Sequence, residues 1–188
     1  FYRERWALRR IFGYEFPTSA SAIRGQVVES GINMFLNGLP IEEAKEKMLS
    51  EYDENCSRIN DPKIEDERNN LVPLFELGTK KFQDYAYRWR LIDYQRKIEG
   101  QIDDIPFIGY TDFYFEDNHT REDFFIDLKT SKNLPQKVSI SHAMQQAIYQ
   151  KATNAKQILW YLKTPTKTKG AEYIAMSLDD YVEPFNIC

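Results

Sequence analysis

Asp127 and Lys129 stand one residue apart in Phe124-Phe125-Ile126-Asp127-Leu128-Lys129, a run of branched and aromatic residues that reads as a short strand. Strand alternation sends Phe125, Asp127 and Lys129 to one face and Phe124, Ile126 and Leu128 to the other. The rise of a strand sets Asp127 and Lys129 about 7 Å apart along it. Asp112 lies near the end of the preceding strand candidate, and a hairpin through Asp117-Asn118-His119 can bring it beside Asp127. Two carboxylates about 4 Å apart repel by roughly 4 kcal/mol at an effective dielectric near 20. A divalent cation relieves that repulsion, and Mg²⁺ or Mn²⁺ suits carboxylate oxygens and water. An Asp-x-Lys in a strand is by itself more often a surface ion pair, so the weight falls on what surrounds it.

Two more pairs have helical spacing. Gln145 and Tyr149 are one turn apart, as are Gly25 and Glu29, so each pair projects from one face of its helix. The charge is unevenly spread. From Leu128 to Ala171 eight lysines occur without an Asp or Glu, among them Lys132 and Lys137, so this segment is +8 and the remainder −12 within a net −4. A local basic surface fits a phosphate backbone better than the overall charge implies.

Apolar spacing predicts a helix from Thr18 to about Leu36, with Thr18, Ser19 and Ser21 as cap candidates. A second follows from Pro40 to about Cys56 and a third from Leu71 to about Tyr87. Phe1 to Phe12 reads as a further short helix. Strands are predicted at Trp89–Ile98 and Phe107–Phe115, with a turn at Glu99-Gly100, and again at Phe124–Lys129. A helix over Ser139–Ala152 and strands at Gln157–Leu162 and Glu172–Met176 complete an α/β layout with a mixed sheet.

Ile105-Pro106-Phe107-Ile108-Gly109-Tyr110-Thr111-Asp112, a turn, then Asp127-Leu128-Lys129-Thr130 resembles the Gly-x-x-Asp and Asp-x-Lys-Thr signature of RecB-like nucleases of the PD-(D/E)XK superfamily. That branch includes CRISPR-associated adaptation nucleases and phage recombination exonucleases. Gln145-x-x-x-Tyr149 is similar to the family's Gln-x-x-x-Tyr, and Gly25-x-x-x-Glu29 to its upstream motif. Most RecB-like members have His at the last position of that motif, whereas phage exonucleases of the lambda type have Glu. The resemblance covers about residues 20 to 165. It implies a restriction-endonuclease-like core, a mixed central sheet flanked by helices, with a helical portion over about residues 1–87 and the catalytic sheet and helix over about 88–176. It implies hydrolysis of phosphodiester bonds in DNA, with exonuclease action favoured, in recombination, repair or CRISPR and phage DNA processing. Asp112, Asp127, Lys129 and Glu29 become the catalytic group. Glu29, Asp112, Asp127 and the Leu128 carbonyl become ligands of Mg²⁺ or Mn²⁺. Gln145, Tyr149, Lys132 and Lys137 become contacts to single-stranded DNA or duplex ends.

The bulk properties agree with that expectation. A length of 188 residues and 42% hydrophobic content fit one domain. Two cysteines, Cys56 and Cys188, and two histidines cannot build a cysteine-rich metal site, so no iron–sulfur cluster is expected. No apolar run reaches the roughly 18 residues that span a bilayer. The expectation is an intracellular protein, cytoplasmic or nucleoid-associated, with organelle targeting left open because the chain opens on Phe1. A non-catalytic DNA-binding protein of the same fold, and an acidic scaffold whose helices dock a partner, are the rival readings.

Overall fold

The computed structural model describes residues 18–102 and 104–177. The helix expected over Phe1–Phe12 and the second cysteine, Cys188, lie outside them. Among the described residues four helices come first: α1 (Ala20–Leu36), α2 (Ile41–Cys56), α3 (Ile64–Arg68) and α4 (Leu71–Tyr85). Then follow β1 (Trp89–Ile102), β2 (Ile105–Asp117), β3 (Asp123–Ser131), α5 (Ile140–Thr153), β4 (Lys156–Lys163) and β5 (Glu172–Ser177). This is an α/β fold with a five-stranded mixed sheet in the order β1-β2-β3-β4-β5. Only β3 and β4 run parallel. Parallel neighbours need a long crossover, and α5 supplies it.

Ser19 caps α1 by accepting from Ala22 N, and Asp61 Oδ2 accepts from Ala20 N, so the Asn60-Asp61-Pro62 break holds the start of the helix before it. The buried stripe Ile23, Val27, Val28 and Ile32 of α1 packs with Met48 and Tyr52 of α2 and Leu74, Phe75 and Phe82 of α4. This layer closes over one face of the sheet through Phe113, Phe115, Phe124, Ile126, Leu128, Trp160 and Leu162. Phe82 sits 4.4 Å from the Trp160 ring centroid. Tyr149 of α5 and Ala155, just before β4, meet Phe125, Tyr114 and Ile98 on a second, smaller core. The alternation expected of β3 is therefore what its two faces bury.

Two elements differ from the sequence expectation. The turn expected at Glu99-Gly100 is strand: Gly100 pairs with Phe107, and the hairpin extends until Asp104 takes a left-handed backbone, φ 64. Glycine is needed at position 100, because a Cβ there would come within 2.7 Å of the Phe107 ring, and the turn falls where an aspartate tolerates positive φ. Helix α3 is new. It is a five-residue turn too short to carry a periodic signal.

Candidate active site

The β1–β2 ribbon changes character halfway along. Tyr94 lies against Phe113, their centroids 5.4 Å apart, within the larger core. Arg96, which strict alternation would put on the same side, lies 4.2 Å over the ring of Tyr114, which belongs to the smaller core. Between them Gln95 has φ 49. In the register that pairs Tyr94 with Phe113 and Arg96 with Thr111, Gln95 stands across from Asp112.

The β2–β3 ladder ends at the neighbouring position. Its last pair is Phe113↔Ile126; one step further, where Asp112 would face Asp127, the strands part. The Asp112 side chain takes over there: its Oδ2 accepts from Leu128 N at 2.7 Å, satisfying a backbone donor that the opened ladder leaves. Two carboxylates thus meet at the fork where the hairpin leaves the sheet. Asp127 is buried, and Lys129 Nζ lies 2.6 Å from its Oδ2. The ammonium is the charge that faces this buried oxygen.

Glu29 reaches the group from α1. A Cβ on Gly25 would stand 3.3 Å from Thr130 Oγ1, and Arg24 Nη2 donates to Thr130 Oγ1 and O at 3.1 and 3.3 Å. The helix is thereby pressed against the end of β3, one turn before Glu29. Arg24 is itself buried and paired with buried Glu67, which Lys132 Nζ also approaches at 3.9 Å. Gln95 Nε2 donates to Glu29 Oε1 at 3.1 Å, and the Tyr94 hydroxyl lies beside it.

The electrostatics follow from this crowding. Burial, then the charges of Asp127 and Glu29, pushes the Asp112 carboxyl well above the usual carboxylate range, against the opposing pull of Lys129 and the Leu128 N–H. Burial also raises Glu29; hydrogen bonds from Gln95 and Tyr94 counter it and Asp127 adds to it. Burial works against the Lys129 ammonium, yet Asp127, Asp112 and Glu29 outweigh it and hold its pKa raised. The group resists carrying three negative charges with one lysine to balance them.

Of the other residues singled out by sequence, Tyr149 is buried between α5 and the hairpin, where its hydroxyl accepts from Tyr110 N at 3.3 Å and from Gln145 Nε2 at 3.4 Å. Gln145 is half-buried beside it. Lys132 and Lys137 are exposed on the loop after β3. Cys56 is buried in the larger core and unpaired.

Four neighbours of the site went unread. Tyr161 pairs with Lys129 across the parallel β3–β4 ladder, and its hydroxyl meets His142 Nδ1 at 2.7 Å. Burial, then Lys129, lowers the His142 pKa. Tyr161 was legible only as a strand residue, but His142 lies three positions before Gln145, on the helical face of the Gln-x-x-x-Tyr pair. Tyr94 and Gln95 carried no signal, since strand residues whose faces exchange escape any period-two pattern.

Among the described residues, no group of three or more His, Cys, Asp or Glu side chains is set to hold a metal ion, and no helix is long and apolar enough to cross a membrane. No protein-family model and no curated protein matches the chain. Solved structures do match, among them one described as the crystal structure of SSO0001. It is 14% identical with a TM-score of 0.39, over 92% of this chain and 74% of that one.

Proposed function

We propose that the chain is a metal-dependent DNA nuclease of the PD-(D/E)XK superfamily, RecB-like branch, with a restriction-endonuclease-like core and a preference for exonuclease action. The observation that carries this reading is the fork between β2 and β3. Asp112 and Asp127 stand opposed where the ladder ends, Lys129 is 2.6 Å from Asp127, and Glu29 is held over them from α1.

The donor set fits a hard divalent cation. Its oxygens are carboxylates, Lys129 is the cation set against the buried Asp127 Oδ2, and burial, with the charges of Asp127 and Glu29 added, drives Asp112 toward its neutral form, which a further cation would oppose. Asp112, Asp127 and the Leu128 carbonyl would hold Mg²⁺ or Mn²⁺, assisted by Glu29, whose carboxylate accepts from Gln95 through Oε1. Such a cation supplies Lewis acidity at phosphorus and lowers the pKa of a bound water.

The chain's own residues do the rest. Lys129, kept charged by three carboxylates, presents an ammonium beside Asp127 that orients the attacking water and offsets charge on the phosphate oxygens. Exposed Lys132 and Lys137 meet the DNA backbone. Gln145, joined to the Tyr149 hydroxyl, steadies the strand from α5. Recombination, repair or CRISPR and phage DNA processing are the settings this activity serves.

Incubating the protein with end-labelled single- and double-stranded DNA, with Mg²⁺, Mn²⁺ or chelator, tests the reading. Metal-dependent shortening of the label supports it and gives polarity and strandedness. Binding without cleavage in any metal replaces it with the non-catalytic DNA-binding protein.

A further inference from the structure

Four described residues other than glycine have positive φ: Gln95, Asp104, Arg121 and Asn154. Three of them sit where chains turn. Asp104 lies in the β1–β2 reversal, Arg121 in the β2–β3 turn, and Asn154 caps the C-terminus of α5. Gln95 is inside a strand, away from any reversal. A left-handed backbone costs a long side chain about 1 kcal/mol or more, a cost that glycine escapes and asparagine reduces. Glutamine at 95 is therefore a choice against local preference.

We propose that Gln95 is the positioning residue for Glu29: the left-handed turn of β1 at Gln95 aims its amide out of the sheet at the α1 carboxylate. The inference rests on the reading of Glu29 as part of a cation site, and it names the residue that sets Glu29's direction. Three observations support it. Gln95 Nε2 donates to Glu29 Oε1 at 3.1 Å and to Tyr94 Oη at 3.4 Å, so the amide's two hydrogens tie helix to strand. Gln95 stands across the ladder from Asp112, which places Glu29's anchor on the residue facing the carboxylate that Glu29 must meet. The same left-handed turn moves Arg96 off the Tyr94 side and over Tyr114, which keeps that guanidinium with the smaller core. A neutral amide fixes the carboxylate's direction without cancelling its charge, whereas an arginine or lysine at 95 would compete with a cation for it.

Gln95→Gly separates the two roles, because it removes the amide and the strain together. Thermal midpoints in chelator and Mn²⁺ affinities by titration calorimetry are to be compared for the wild type, Gln95→Gly, Gln95→Asn, Glu29→Gln and the double variant Gln95→Gly with Glu29→Gln. The proposal expects Gln95→Gly to melt at or above the wild-type temperature while its Mn²⁺ affinity falls about tenfold, the scale for losing an outer partner of a ligand. Gln95→Asn, one methylene short of Glu29, is expected to match Gln95→Gly in affinity. The double variant should bind no more weakly than Glu29→Gln alone, since Gln95 acts through Glu29. Affinity of Gln95→Gly within twofold of wild type, or additive losses in the double variant, overturns the inference. A wild type that binds Mn²⁺ with unaffected Gln95 variants refutes this inference and leaves the proposed function standing. A wild type that binds no Mn²⁺ at all refutes both.

Discussion

Asp112→Asn should stabilise the metal-free protein, and should do so only above acidic pH. Burial disfavours the charged Asp112 carboxyl, and two carboxylates roughly 5–7 Å apart at the fork repel by about 2–3 kcal/mol at an effective dielectric near 20. The Lys129 ammonium, 2.6 Å from Asp127, opposes both effects, leaving on the order of 1–2 kcal/mol against folding. Asparagine keeps an oxygen that can accept from Leu128 N, so the bond across the fork is retained. The sign follows from the raised carboxyl of Asp112. A carboxyl with a folded pKa above its unfolded value of about 4 favours folding fully below that value, and loses the contribution as pH rises through the folded one. The variant carries no such proton. In chelator, the two proteins should melt together near pH 4 and separate as pH rises, the variant higher by about 2–8 °C at pH 8 for a chain of this size. Scanning calorimetry from pH 4 to 8 measures it. A variant that melts at or below wild type at pH 8, or a gap that does not change with pH, would refute the crowding of carboxylates at the fork.

Other expectations are more local. Arg24→Ala should destabilise by about 3–5 kcal/mol in chemical denaturation, because it leaves Glu67 buried with only Lys132 at 3.9 Å. Gly109→Ala would set a Cβ 2.4 Å from the Tyr149 ring and hydroxyl, so it should cost about 1–3 kcal/mol and weaken DNA binding through Gln145, read by melting and by fluorescence anisotropy. Lys132→Ala with Lys137→Ala should weaken DNA binding alike for all sequences and reduce the slope of log affinity against log salt by about 1–2. An unchanged slope would mean that the loop after β3 faces away from DNA.

The parts of the molecule that were legible in the sequence are those set by one element. Alternation in β3 assigned Asp127 and Lys129 to the face opposite Ile126 and Leu128, and burial on the two sides agrees. Ser19 was among three cap candidates for α1, and Gly25 was marked by its place one turn before Glu29, where α1 meets Thr130. What escaped depends on pairs of elements. The length of the β1–β2 hairpin is set by Phe107 covering Gly100 across the ladder, so the glycine read as a turn is strand. The parting of β2 from β3 at Asp112 and Asp127 is a property of the ladder, and neither strand announces it alone. Gln95 was invisible for a related reason. Its role comes from a backbone turn that aims one strand residue at a helix 66 positions earlier in sequence.

If the fork between β2 and β3 hydrolyses DNA as proposed, cleavage of end-labelled DNA by the wild type and by Asp127→Asn at matched folding will show it. In Mn²⁺ or Mg²⁺ the wild type should shorten the DNA, chelator should stop it, and Asp127→Asn should show no cleavage while its circular dichroism and DNA affinity stay near wild type. Equal cleavage by Asp127→Asn, or a wild type inert in both metals, would contradict the account.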